Sequence, residues 1–251
     1  MKIGLLVPST TNNRSWENIQ ETYLYTIFLK SFLNTYCHEH VYTIYVGIDD
    51  DDRIYSNIDE RKTIERFIYI MKNVSIEFVY MKGIKKGWVA NMWSHLMMKA
   101  YDDNCDYFYQ CGDDVEFLEK GWVSECIKVL QEHNDIGLTG PLDKGRLKAG
   151  VHSQPGGTRF IQTQAFVSKK HKEIFDFFFP PEIANWYCDD WITHVYYPKY
   201  FYIIKDKYIV NKGGQPRYDI IGSLNPDCHI KKKEASLSKL HYKQLLKYLS
   251  Q

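Results

Sequence analysis

Short apolar runs that stop on polar or acidic residues alternate with segments of helical period through the first 115 residues. This alternation most constrains what the chain can fold into. Lys2–Pro8 is apolar and ends at Ser9-Thr10. Val41–Ile48 is β-branched and aromatic and ends at Asp49-Asp50-Asp51-Asp52. Residues 75–80 form a third run, and Tyr107–Gln110 is a fourth that stops at Gly112-Asp113-Asp114. Between them, helical spacing predicts helices over 16–33, opened by Ser15 as N-cap, over 58–71 and over 88–101. Strand–helix alternation implies an α/β fold with a mixed, mostly parallel sheet and helices on both faces. In such sheets the ligand crevice lies beyond the carboxyl ends of the strands. Three of the four strand ends carry groups suited to a polar ligand.

The second half is less regular. The patterning predicts helices at 122–131, 171–179, 186–196 and 234–249, and strands at 136–140, 160–167 and 200–210, with a Gly-rich loop at 143–157. Leu237, Leu240, Leu245 and Leu249 are expected on one face of the last helix. No linker separates two units, so a single domain is expected. Lys239, Lys243 and Lys247 make the last helix basic. Packing on the core is its expected role, with peripheral contact to an anionic membrane as the alternative.

Composition narrows the function. With 32 Lys and Arg against 31 Asp and Glu, the formal charge is +1. That lacks the basic field of a protein that coats nucleic acid, so no nucleic-acid partner is expected. No apolar window reaches the roughly 18 residues of a spanning helix, so no transmembrane segment is expected. No export signal is expected from the start of the chain, and none of the six cysteines forms a C-x-x-C pair. Free thiols in a cytoplasmic setting follow. His152 and His229 are isolated and are not expected to ligate metal.

The acidic clusters carry the chemistry. Adjacent Asp113 and Asp114 at a buried strand end repel each other unless a positive group is present, which suits a divalent hard cation completed by substrate phosphates. Gly-Asp-Asp also occurs in viral RNA polymerases, but this chain is too short for that reading. Asp49 or Asp50 can accept hydrogen bonds from a base N–H or a ribose hydroxyl, whereas Asp51, Asp52 and Arg53 are expected at the surface. Lys82, Lys85 and Lys86 precede a helix start and either suit a diphosphate or form a solvated cluster. Asn91, one turn into that helix, is placed to face the crevice. Asp189-Asp190 either caps a helix or supplies a general base.

Taken together, these residues resemble the GT-A fold glycosyltransferases, closest in pattern to the inverting family 2 group and related viral enzymes. Ile3-Gly4-Leu5-Leu6-Val7-Pro8-Ser9-Thr10 is similar to that family's first strand, Val46-Gly47-Ile48-Asp49-Asp50 to its second, and Gly87-Trp88-Val89-Ala90-Asn91 to its helix start near the sugar nucleotide. Gly112-Asp113-Asp114 stands where the family has Asp-x-Asp, Gly121-Trp122 matches a downstream Gly-Trp, and Asp189-Asp190 stands at Glu-Asp. The resemblance covers roughly residues 1–200. It implies a nucleotide-binding half (1–115), an acceptor-side half (116–200) and a C-terminal extension (201–251).

The resemblance further implies transfer from a nucleotide-sugar, expected to be a UDP-sugar, to a carbohydrate or glycan hydroxyl, with inversion. Pro8, Ser9, Thr10, Asp49, Asp50, Lys85, Asn91 and Asp113 would bind the nucleotide. Asp114, aided by Asp113, would hold Mn²⁺ or Mg²⁺, and Asp190, paired with Asp189, would be the catalytic base. Two departures stand out: Gly112 replaces the first acid of Asp-x-Asp, and Asp189 replaces the usual Glu. Alternatives are a sugar-nucleotide nucleotidyltransferase, weakened by the absence of Gly between Ser9 and Arg14, and a non-catalytic carbohydrate-binding protein on the same fold.

Overall fold

A computed structural model describes residues 1–148, 160–213, 217–218 and 228–251. Its main sheet has five strands in the order β3-β2-β1-β4-β7, where β1 is Lys2–Pro8, β2 Val41–Ile48, β3 Val74–Tyr80, β4 Tyr107–Gln110 and β7 Phe166–Ser168. The first four are parallel and β7 runs antiparallel to β4. Register matters for function. Pro8 lies opposite Gly47, and Leu6 opposite Gln110, so the carboxyl ends of β1, β2 and β4 finish at one edge. A smaller sheet, β5 (Val115–Phe117), β8 (Tyr208–Asn211) and β6 (Leu142–Asp143), stands beside that edge.

Apolar side chains alternate between the two faces of the main sheet, as period-2 geometry requires. Ile3, Leu5 and Val7 enter one core with Phe28, Phe32 and Trp122. Leu6, Tyr45 and Phe108 enter the other with Leu96, Trp191 and Leu245. Helix α3 (Val89–Asp102) buries Leu96, Met97 and Ala100 against the second face. Burial of a side chain the size of Leu contributes about 1.5–3 kcal/mol. Its close approach depends on Gly4, where an added Cβ would sit 2.9 Å from Ala100 Cβ. A larger residue there would lever the helix off the strand.

Several local expectations change. The first helical segment is a 3₁₀ turn (Ile19–Glu21), a π-helical stretch (Leu24–Leu29) and α1 (Lys30–Thr35), and its cap is Asn18, which accepts from Gln20 N–H. The Thr22 and Thr26 hydroxyls bond to the carbonyls of Ile19 and Thr22, competing with the regular helical ladder. Helices α2 (Ile58–Tyr69) and α4 (Trp122–Gln131) stand as expected. Residues 136–140 contribute isolated bridges at Leu138 and Thr139 rather than a strand, and the Gly-rich loop holds α5 (Lys144–Lys148) before leaving the described residues. His152 lies outside them.

Helix α6 (Lys170–Phe175) is shorter than its pattern, because Asp176 adopts a left-handed backbone and ends it. Helix α7 (Cys188–Tyr196) packs on α8 (Cys228–Leu249), which also packs on α6. The inner stripe of α8 is Glu234, Ser238, His241 and Leu245, whereas Leu240, expected inside, is 58% exposed. Polar partners on α7 set this register: Glu234 accepts from His194, and the Trp191 indole donates to His241 Nδ1. Among the described residues, no helix is long and apolar enough to cross a membrane.

Candidate active site

A crevice of about 370 Å³ opens at the carboxyl edge of the main sheet, within the range of small-molecule sites, roughly 300–1,000 Å³. Its wall carries four aspartates (Asp49, Asp113, Asp114 and Asp189) and three arginines (Arg14, Arg146 and Arg217). The strand registers bring the first three acids together from the two loops that follow β2 and β4. The fourth comes from the first turn of α7.

The β2 corner is built around Asp49. Its carboxylate is buried and accepts from the Thr10 hydroxyl at 2.6 Å, from Asn12 Nδ2 at 3.3 Å and from the Tyr218 hydroxyl. Asp52, expected at the surface, is wholly buried. It accepts from Thr11 N and Oγ1 at 2.6 and 2.7 Å and from Ile54 and Tyr55 N–H at 3.1 and 2.9 Å. Its role is to staple the loops after β1 and β2 together. The neighbouring acids do lie outside: Asp51 pairs with Lys86 at 2.5 Å on the surface.

The β4 corner holds Asp113 and Asp114. Asp113 accepts from Ser9 Oγ and from Arg217 Nη2, each at 2.5 Å. The Asp114 carboxyl is pushed up to about 6, first by burial and then by the charge of Asp113, with Arg217 opposing. Gly112 leaves room for this side chain: an added Cβ would fall 2.5 Å from Asp114 Oδ1. The carboxylate of Asp114 therefore fills the space that a side chain at position 112 would take. A buried carboxylate, Asp113, beside a half-buried one, Asp114, fits a hard divalent cation that draws its remaining ligands from phosphate and water. Among the described residues, no further His, Cys, Asp or Glu completes a three-ligand set with them.

On α7, Asp189 lines the crevice and Asp190 does not. Arg146 Nη1 approaches Asp189 Oδ2 at 3.8 Å, and Asp189 Oδ1 accepts the Asp190 N–H at 3.2 Å. Asp189 thus stands in the first turn of α7 and reaches the cavity, whereas the N-cap position is Tyr187 and no side chain caps the helix. Burial, Asp189 and Glu234 together push the Asp190 carboxyl up to about 6, with His194 opposing. Glu234 is itself buried between His194, at 2.9 Å, and the Ser238 hydroxyl, at 2.5 Å.

No known protein family and no curated protein matches the sequence. Solved structures do match the fold. S. aureus TarS, a GT-A family glycosyltransferase, superposes at a TM-score of 0.53 over 83% of this chain, at 14% identity. Its 1–349 fragment in complex with UDP gives the same TM-score and coverage at 13% identity. The chain has the GT-A fold of these structures. The chain spans 59% of the TarS fragment's length and 36% of the longer TarS chain.

On this GT-A frame, Pro8, Ser9, Thr10, Asp49, Asp113 and Asp114 share one crevice. Asp50, Lys85 and Asn91 do not line it. Asp50 is exposed, Lys85 lies 5.8 Å over the Trp88 ring, and Asn91 donates to the Pro181 carbonyl at 3.4 Å. Positive charge comes instead from Arg14, Arg146 and Arg217, which sequence reasoning missed. Tyr218 was missed as well. Arg14 sits in the polar loop after β1. Arg217 lies 104 residues beyond Asp113 in the sequence, with Tyr218 next to it, and no local spacing links them to it.

Proposed function

We propose that the protein is a metal-dependent glycosyltransferase that moves a sugar from a UDP-sugar to a hydroxyl of a carbohydrate acceptor, with inversion. The observation that carries this reading is the convergence of Asp49, Asp113, Asp114 and Asp189 on one crevice at the carboxyl edge of a GT-A sheet. The fold match to a TarS structure in complex with UDP supports uracil as the base.

In this reading Asp49 and Thr10 accept and donate to the base, and Ser9 and Asp113 face the ribose. Arg14 and Arg217 offset the negative charge of the diphosphate, since guanidinium groups match phosphate geometry. Asp114 with Asp113 would hold Mn²⁺ or Mg²⁺, which supplies charge stabilisation at the departing diphosphate. Asp189, the member of its pair on the crevice wall, removes the proton from the acceptor hydroxyl. The acceptor oxygen bonds to the anomeric carbon as the carbon–oxygen bond to UDP breaks on the opposite face. The electron pair leaves with UDP and the configuration inverts. The unpaired thiols Cys105, Cys111, Cys126 and Cys188, all buried, support a reducing, cytoplasmic location.

Calorimetry with UDP tests the reading. Binding is expected in the presence of Mn²⁺, and Asp114→Ala is expected to abolish the metal dependence. Equal UDP affinity with and without Mn²⁺, unchanged by Asp114→Ala, would overturn metal dependence. No UDP binding under any condition would overturn the donor assignment.

A further inference from the structure

The turn between α1 and β2 lies at the amino edge of the sheet, the end opposite the crevice. Strand β2 separates Cys37, Glu39 and His40 from Asp49, and eight strand residues at about 3.3 Å each make that roughly 26 Å. Whatever binds at this turn is therefore remote from the donor site.

Three groups of different chemistry meet in these four residues. Cys37, Glu39 and His40 each offer one ligand atom, and those atoms all lie within 4.8 Å of one another. The imidazole is already oriented. His40 Nε2 is 3.0 Å from the hydroxyl of Ser124 on α4, while its Nδ1 is buried with no hydrogen-bond partner. Leaving a buried nitrogen unbonded is unfavourable, and a metal ion on Nδ1 would remove that cost. The arrangement of one ring nitrogen held by a neighbour and the other free is how metal-ligating histidines are prepared. Cys37 is an unpaired, half-buried thiol, whereas Cys105, Cys111, Cys126 and Cys188 are buried.

We propose that Cys37, Glu39 and His40 form a zinc site at the α1–β2 turn, with its fourth position open to solvent. A thiolate with an imidazole and a carboxylate selects Zn²⁺ over Mg²⁺ or Mn²⁺, which favour all-oxygen shells. On binding, the Cys37 S–H bond breaks, its proton goes to solvent and a sulfur–zinc bond forms. Thiolate and carboxylate together neutralise the ion. Through the contact of His40 with Ser124, the ion would brace the start of β2 against α4.

The test uses the full chain, reduced with a phosphine, and Co²⁺ as a spectroscopic probe for zinc. One equivalent of Co²⁺ is expected to give a thiolate-to-metal charge-transfer band that Zn²⁺ displaces and that disappears in Cys37→Ser. Ser124→Ala is expected to weaken zinc binding by about tenfold, the usual effect of removing such a supporting group. Circular dichroism of the metal-free variants checks that they fold, and Mn²⁺-dependent UDP binding is expected to stay unchanged in both. A chain that gives no charge-transfer band would overturn the proposal. So would zinc affinity and stoichiometry that are the same in Cys37→Ser as in the parent.

Discussion

Arg217 donates from Nη2 to Asp113 Oδ1 at 2.5 Å, and the carboxylate that receives it is only 2% exposed. The pair ties the C-terminal part of the chain to the end of β4. It also places a positive charge beside two acids that would otherwise repel each other. Removing one partner of a buried pair leaves an uncompensated charge, a loss of about 3–5 kcal/mol. Arg217→Ala is expected to destabilise the protein by that order in urea unfolding. Asp113→Asn in the Arg217→Ala background is expected to cost much less than it does alone, so a double-mutant cycle gives a clear coupling energy. Additive single losses would show that the ion pair contributes nothing.

Gly112 and Asp114 compete for one volume. Gly112→Ala places a methyl 2.5 Å from Asp114 Oδ1, so the carboxylate has to swing away. Overpacking of this kind costs about 1–3 kcal/mol, which a domain of this size survives. The expected phenotype is a folded protein with a modestly lower melting temperature whose UDP binding no longer responds to Mn²⁺. A variant that keeps the metal response of the parent would show that the position of Asp114 is unimportant to the site.

Three of the four acids of the crevice were legible in the sequence because they stand at the ends of β-runs, where α/β topology fixes the edge of the sheet. Asp49, Asp113 and Asp114 needed only that rule. Asp52 was misjudged because four hydrogen bonds from Thr11, Ile54 and Tyr55, invisible in a run of like residues, draw it inside. Lys85 was attractive as a phosphate ligand because of its charge alone, yet its position after Gly83 leaves it against Trp88. Arg217 and Tyr218 were beyond reach, since only the folded chain carries them across to Asp113 and Asp49. The same limit applies to Leu240, which hydropathy placed inside α8 although the polar contacts of Glu234 and His241 fix the opposite register.

His171 is enclosed between α6 and α7. Its Nε2 donates to the Phe178 carbonyl at 3.0 Å and its Nδ1 accepts from the Tyr196 hydroxyl at 2.9 Å, which fixes the neutral ring. Burial holds its pKa down at about 4. A depressed histidine contributes stability that is present above pH 6.5 and is lost as the pH falls towards 4. Between pH 7.5 and 5 the loss is about 2 kcal/mol. His171→Gln is expected to lack this component, so its stability deficit relative to the parent shrinks as the pH is lowered. A deficit that is constant with pH, measured by urea unfolding, would assign the acid sensitivity to other groups.

Asp189 and Asp190 are neighbours with different surroundings, and substitution separates their roles. Asp189→Asn retains an oxygen that can accept the Asp190 N–H, so the start of α7 is expected to persist. What it removes is a carboxylate on the crevice wall. Loss of a general base lowers a rate by roughly 10²–10⁴, and this variant is expected to lose transfer on that scale while its UDP affinity changes little. Asp190 is shielded from the cavity and is surrounded by Asp189, Glu234 and His194. Its folded pKa is raised from 3.8 to about 6, so stability falls as the pH rises through that interval and the full cost is present at neutral pH. Asp190→Asn is then expected to raise the melting temperature at neutral pH and to keep most of the transfer rate. The decisive comparison is the rate of sugar transfer by the two variants at saturating donor. A collapse confined to Asp190→Asn would move the proton-accepting role to that residue and require its side chain to turn into the crevice when the acceptor binds.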